Sequence, residues 1–433
     1  MIVVARRPVV GFLLEALTPA AILFLLAVWY GLRFEHLGTV WDIWFGADIP
    51  RLIRWVNDPG FVDRWHLHPL AVPPLKAYGW VLDTLHVPRS PRLLFVYSLP
   101  LIVTVAVCIT ASARILAGLR EVVPSFVIGL GLAAFSSMLA FGPIPECHAA
   151  GGAFLLLQAS LVLQWLASRS PDAEPALHLR KWILVTGVAA AGFTLSNLMP
   201  AAILASPTLL GARSKVWIPA LMCLVLVLAL AVPIANGREV SMPDRIQEWI
   251  DYEMDWTYMP TLNTLWYSFT GLVTYQFGVP EVELTTWENP FDGTTVRSII
   301  PRRPGSLHHL ALLAWLAGIG VWWWTRSGTA HERQFVVLSA AAAASLIGFH
   351  SIYGSYESYV VSPHAWPYIA LPGVIAGLAA YRQKHRLPMA LIIAAMVMSC
   401  VQSARGFRSL DSLPVQPGHV AIAATSARSA MIR

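Results

Sequence analysis

Residues 41–70 read WDIWFGADIPRLIRWVNDPGFVDRWHLHPL, a polar stretch following an apolar run, in which Asp42, Asp48, Asp58 and Asp63 stand beside Arg51, Arg54, Arg64, His66 and His68. These residue types suit group transfer. An Asp, with an ordinary pKa of about 3.9, is ionised at neutral pH and takes the proton of an attacking hydroxyl. Arginine holds a departing phosphate through its planar fork of donors. Asp48 is the candidate general base, with Asp42 and Asp63 as rivals. Arg51, Arg54, Arg64, His66 and His68 are candidates for contacting the phosphate or holding the loop, and contact with lipid headgroups explains any single one of them equally well.

Asp48 also has a plain structural reading. It precedes IPRLIRWV, where Leu52, Ile53, Trp55 and Val56 recur at helical spacing against Arg51 and Arg54. The pattern predicts a short amphipathic helix lying on the membrane, with Asp48 capping its start and Pro50 in its first turn.

Other ionisable residues interrupt apolar runs further along. Glu146 and His148 lie in FGPIPECHAAGG, an expensive place for charge if it is near hydrocarbon. They read either as an acidic site residue with a histidine partner or as a loop in water. Glu357 and His364 lie in YGSYESYVVSPHAW and are expected to face the same cavity as Asp48. Arg302 and Arg303 immediately precede an apolar run, where a lipid phosphate would sit. Asn197, in a broken apolar segment, and His350, inside another, are weaker candidates of the same kind. Asp251, Glu253 and Asp255 would point apart on a helix, and the four cysteines show neither metal-ligand spacing nor a disulfide framework. No metal and no cofactor is assigned.

The elements that must position these residues are set by composition. The chain has 433 residues, 56% hydrophobic and 12% charged, with mean hydropathy +0.60. Soluble domains carry about 25% charged residues, so long apolar runs at half that charge indicate a polytopic membrane protein. Spanning a bilayer takes roughly 17–25 helical residues. Candidate spans are 12–32, 94–118, 122–141, 149–167, 216–236, 307–325, 335–351, 366–380 and 388–404. Segment 182–211 is broken by SNLMP and reads as a hairpin of two short helices, for about eleven spans in all. The first span follows Arg6 and Arg7 but is too long for a signal peptide and has no cleavage pattern after it, so it reads as retained.

Short loops rich in Lys and Arg mark the cytoplasmic side. The clusters at 6–7, 169–181, 213–215, 326–333 and 382–386 fall on one side only if 182–211 crosses twice. The first loop at 33–92, the loop after 141, the long loop at 237–306 and the loop at 353–366 then share the opposite, extracytoplasmic face, together with an Arg-bearing C-terminal tail. Several of the 18 tryptophans sit near span ends, as an interfacial belt requires. The loop at 237–306 is acidic early, basic late and aromatic throughout, which fits interfacial helices or recognition of sugar and headgroup. The net charge of +6 is spread over loops, unlike a nucleic-acid-binding face. The expected architecture is one all-α integral membrane domain over 1–433, with juxtamembrane helices in the first and the long loops.

An acidic residue opening a juxtamembrane helix after the first span, followed by His68-Pro69-Leu70 and then Pro73-Pro74-Leu75, resembles the first outer loop of the GT-C superfamily. These are polytopic glycosyltransferases that use lipid-linked sugar donors. In protein O-mannosyltransferases and lipid A aminoarabinose transferases the pattern reads Asp-Glu, a helix, then His-Pro-Pro-Leu. Here Ile49 replaces the Glu and Leu70 the second Pro, so the likeness covers about thirty residues plus topology. It implies a GT-C-like bundle and inverting transfer of a sugar from a polyprenyl phosphate to a lipid or cell-envelope glycan acceptor, at the extracytoplasmic face of a bacterial inner membrane. The expected partners are that donor, that acceptor and membrane lipids, with no nucleic acid. It also implies no metal requirement.

Two other classes compete. A flippase or transporter of lipid-linked glycans would carry internal repeats and deep intramembrane charges, and neither stands out here. An O-antigen-type polymerase or ligase also has a large outer loop, with its key arginines in later loops than the first.

Overall fold

A computed structural model describes residues 9–37, 49–58, 60–61, 68–88, 93–118, 122–168, 174–209, 261–288, 295–352 and 359–413. The expected span at 216–236 and the early part of the long loop lie outside these residues, as do Asp42, Asp48, Asp63, Arg64, His66 and Glu357.

The protein is mostly helical. In chain order, α1 is Val9–Leu37, α2 Ile49–Asn57, α3 Val72–Thr84, α4 Leu94–Ala117, α5 Val122–Ala133, α6 Ser136–Phe141, α7 Cys147–Leu166, α8 Glu174–Phe193 and α9 Leu198–Leu209. After them come α10 at Leu262–Leu272, α11 at Ser306–Trp324, α12 at Ala330–His350, α13 at Ser362–Arg382 and α14 at Arg386–Asp411. Among the described residues six helices are long and apolar enough to cross a membrane: α1, α4, α7, α11, α12 and α14. Their faces are sorted accordingly. On α14 Ile393, Val397 and Val401 are exposed one helical turn apart, while Ile392, Ala395 and Ser399 turn inward. A row of exposed aliphatic side chains is what hydrocarbon, not water, would cover.

The expectation of an all-α chain is corrected in the long loop. Val282–Glu288 and Thr295–Pro301 form an antiparallel hairpin, β1 and β2, with Val282 opposite Pro301 and Glu288 opposite Thr295. Their sequences, VELTTWE and TVRSIIP, do not alternate cleanly between apolar and polar residues. The span expected at 122–141 is also divided. Phe135 is extended (φ −63, ψ 142) between α5 and α6. Beyond it the buried hydroxyls of Ser136 and Ser137 bond to Tyr359 (2.9 Å) and Gln276 (2.7 Å).

Segment 182–211 folds as the expected pair of helices, although the first begins earlier, at Glu174. Gln158 of α7 donates to the carbonyls of both Ile183 (3.2 Å) and Ala201 (3.1 Å), residues on either side of the turn. This places α8 and α9 side by side as a hairpin. Pro200 occupies the first turn of α9, where a missing N–H costs nothing.

The two ends of the bundle differ in chemistry. Arg382, at the end of α13, pairs with Glu332 at the start of α12 (2.6 Å), and Gln383 donates to the Ser327 carbonyl. The basic clusters at 326–333 and 382–386 are thereby joined at one end. The opposite ends of the same two helices carry His350 and His364. His350 is thus the last residue of its helix. At the histidine end of the bundle, Arg33 donates to the carbonyls of Leu410, Asp411 and Leu413, capping the C-terminus of α14.

Candidate functional site

The first loop enters the bundle through α2 and α3. In α2 Leu52, Trp55 and Val56 of the expected apolar face are buried, together with Ile49, while Ile53 is only partly covered, as are Arg51 and Arg54. Helices α2 and α3 touch so closely that a side chain at Gly79 would run into the Val56 backbone. The turn before α3 then docks on the α8–α9 hairpin. Leu70 donates its N–H to Gly192 O (2.8 Å), and His68 Nδ1 donates to Phe193 O (2.6 Å). That bond places a proton on Nδ1, so Nε2 is an acceptor in the neutral ring and a second donor in the protonated one. Its ring lies 5.5 Å from that of Trp55 and 6.0 Å from that of His148.

Glu146 is the N-cap of α7. Its side chain accepts from the His148 backbone N–H (3.4 Å), which explains an acidic residue at that helix start. The same carboxylate, 2% exposed, lies 3.6 Å from His148 Nε2. On its other side His148 Nδ1 is 3.0 Å from Nε2 of His364, with ring centres 4.8 Å apart. His364 Nδ1 in turn is 3.4 Å from Ser196 Oγ, and Thr194 Oγ1 is 3.4 Å from His148 Nδ1. Both hydroxyls come from the irregular turn between α8 and α9. His364 stands ahead of the expected span at 366–380. Burial holds its imidazole well below the usual histidine range, and the fields of His148, His350 and His68 push the same way.

Three separate chain segments thus bring His68, Glu146 with His148, and His364 to one place. Asn197 lies beside them, fully buried, its Nδ2 donating to Ala190 O (3.0 Å) and packed so tightly against Gly151 that a methyl there would strike it. Ser196 and Thr194 were missed as site residues. Their only sequence signal was the break in an apolar run, which drew attention to Asn197 alone.

A second polar layer lies beneath. Gln276 is fully buried and donates to Ser362 O (2.7 Å) and Leu272 O (3.1 Å) while accepting from Ser137. Tyr359 bonds to Ser136, and burial raises its hydroxyl far above the normal phenol range; Tyr275 is raised for the same reason. Both remain protonated, and Tyr275 donates to Arg302 O (2.5 Å).

Arg302 and Arg303 are exposed at the end of β2, where Arg302 faces Glu283 across the hairpin (3.5 Å). Arg51 is half-buried on α2. Among the described residues no group of three or more His, Cys, Asp or Glu side chains has the geometry to hold a metal ion. No family model, no curated protein and no solved structure matches this chain.

Proposed function

We propose that the protein is an integral-membrane glycosyltransferase of GT-C type, moving a sugar from a polyprenyl phosphate to a lipid or cell-envelope glycan acceptor at the extracytoplasmic face of a bacterial inner membrane. The observation that carries this reading is the meeting of the first-loop His68 with Glu146, His148 and His364 at one end of an apolar helical bundle. A reaction between membrane-anchored substrates needs its polar groups at such an end, reachable from the lipid along the helices.

In the proposed step Asp48 takes the proton of the acceptor hydroxyl as its oxygen bonds to the anomeric carbon. The bond from that carbon to the phosphate oxygen breaks with inversion, and its electron pair leaves with the phosphate. Arg51, Arg64, His66 and His68 orient and neutralise the phosphate from the first loop. His148 faces it from the bundle, with the buried Glu146 and His364 holding His148 from either side. Arg302, Arg303 and Glu357 belong to the outer loops that cover the substrates. A nucleotide-sugar donor is disfavoured because no loop on the basic side is large enough to hold one.

The test is transfer by the purified chain in lipid nanodiscs, offered radiolabelled sugars on polyprenyl phosphate and, separately, on nucleotide diphosphates. Transfer from the lipid donors alone is expected. Transfer only from nucleotide sugars would overturn the reading.

A further inference from the structure

The contacts Glu146–His148–His364–Ser196 run in series, and the middle member is sealed. His364 is 0% exposed, whereas His148 and Ser196 at its two sides are partly open. Each imidazole presents one nitrogen to each neighbour. His148 turns Nε2 to the Glu146 carboxylate and Nδ1 to His364, and His364 turns Nε2 to His148 and Nδ1 to Ser196. A neutral imidazole has one N–H and one lone pair, so the direction of each link dictates the next.

With His148 neutral, the carboxylate favours N–H at His148 Nε2. His148 Nδ1 then accepts from His364 Nε2–H, and His364 Nδ1 accepts from the Ser196 hydroxyl. With His148 protonated beside Glu146, His148 Nδ1–H donates to His364 Nε2, and His364 Nδ1–H donates to Ser196. A single proton therefore reverses the two links beyond His148 and exchanges the tautomer of His364, while the Glu146–His148 link keeps its direction. The ionisable groups facing this chain among the described residues are Glu146, His68 and His350. The Glu146 carboxylate favours the cationic form of the His148 ring beside it.

We propose that Glu146, His148, His364 and Ser196 form a proton wire that delivers one proton, through the Ser196 hydroxyl, to the phosphate leaving in the reaction above; the delivery rests on that reading. As the bond between the anomeric carbon and the phosphate oxygen breaks, the electron pair stays on that oxygen. The oxygen takes the Ser196 proton, Ser196 takes the Nδ1 proton of His364, and His364 Nε2 takes the Nδ1 proton of His148. The acceptor's own proton rests on Asp48 and passes to water, and water reprotonates His148. Atoms and charge balance, with glycoside and a protonated phosphate monoester as products.

Two measurements on the full chain in nanodiscs test it. The first needs no turnover: nitrogen-15 NMR of histidine-labelled protein, assigned with His148→Gln and His364→Gln, followed across the pH range in which the protein stays folded. His364 should carry Nε2–H at high pH and Nδ1–H at low pH, with the midpoint moved to lower pH in Glu146→Gln, a change that keeps an oxygen to cap α7. A single His364 tautomer throughout would overturn the wire. The second is transfer from a polyprenyl-phosphate sugar by Ser196→Ala and Ser196→Thr. Ser196→Ala should lower kcat by roughly 10²-fold with the donor KM unchanged, and Ser196→Thr should restore most of it. Wild-type rates in Ser196→Ala would overturn the wire and leave the glycosyltransferase reading standing. Absence of transfer by the wild type from every lipid donor would instead sink that reading and the delivery step with it, and the NMR result would still decide whether the proton moves.

Discussion

Nδ1 of His148 lies 3.0 Å from Nε2 of His364, although the two residues are 216 positions apart in the chain. Both sit at the first turns of buried helices, α7 and α13, and both helix starts face the same end of the bundle. What lets them meet is a small residue one turn further on. Gly152 lies directly against the Pro363 backbone, so any side chain there would push α7 from α13. Glycine at a helix contact allows backbones to approach this closely in a membrane.

Gly152→Val is therefore expected to cost about 1–3 kcal/mol, the usual range for forcing extra atoms into a packed interface. Reversible unfolding in mixed micelles measures it. Gly348→Ala, at a helical position with open space around the added methyl, is the control and should be neutral or slightly stabilising.

Gln276, in the turn before the β1–β2 hairpin, connects α6, the end of α10 and the start of α13 through three hydrogen bonds. Gln276→Leu keeps the volume, takes the acceptor from the buried Ser137 hydroxyl and removes one donor each from the Leu272 and Ser362 carbonyls. A loss of roughly 1–3 kcal/mol is expected, with Gln276→Glu also destabilising because it brings a charge into the same apolar place. Equal stability of Gln276→Leu and wild type would show that the polar layer does not tie α6 to α13.

Glu15 and Arg114 form a two-pronged pair between α1 and α4, at 2.8 and 3.1 Å, with Ser125 also on the carboxylate. Both are largely covered and lie within apolar helices. Arg114→Met leaves the carboxylate short of its main partner and should cost about 3 kcal/mol. The double change with Glu15→Gln should recover part of that loss. If Arg114→Met alone is neutral, the pair is not a helix clamp.

The two ends of the bundle should label from opposite sides of the membrane. In a background lacking the exposed Cys400, His86→Cys should react with an impermeant maleimide on intact cells, and Lys384→Cys only after permeabilisation. Labelling of both from one side would contradict the assignment of the histidine end to the extracytoplasmic face.

Much of this arrangement is legible in the sequence, for identifiable reasons. Apolar length and the side-to-side bias of Lys and Arg mark the membrane helices, because both follow from the cost of putting charge in hydrocarbon. The α8–α9 hairpin is legible because SNLMP breaks an apolar run that is long for one helix. Glu146, His148 and His364 stand out as ionisable residues between apolar runs, and the fold brings all three together. Their pairing was not legible, since it depends on Gly152 and Pro363 touching across the chain. The β1–β2 hairpin escaped because its side chains do not alternate cleanly between apolar and polar. The break at Phe135 escaped because the partners that compensate it, Tyr359 and Gln276, lie far away in sequence.

The most direct test of the central claim is sugar transfer from a polyprenyl-phosphate donor by membranes carrying wild type or Asp48→Asn at matched, folded levels. The account predicts transfer by the wild type and its loss, by roughly 10²-fold or more, in Asp48→Asn. Transfer at the wild-type rate by Asp48→Asn would contradict the assignment of the base and move it to Asp42 or Asp63. Silence of the wild type with every lipid donor would contradict the glycosyltransferase itself.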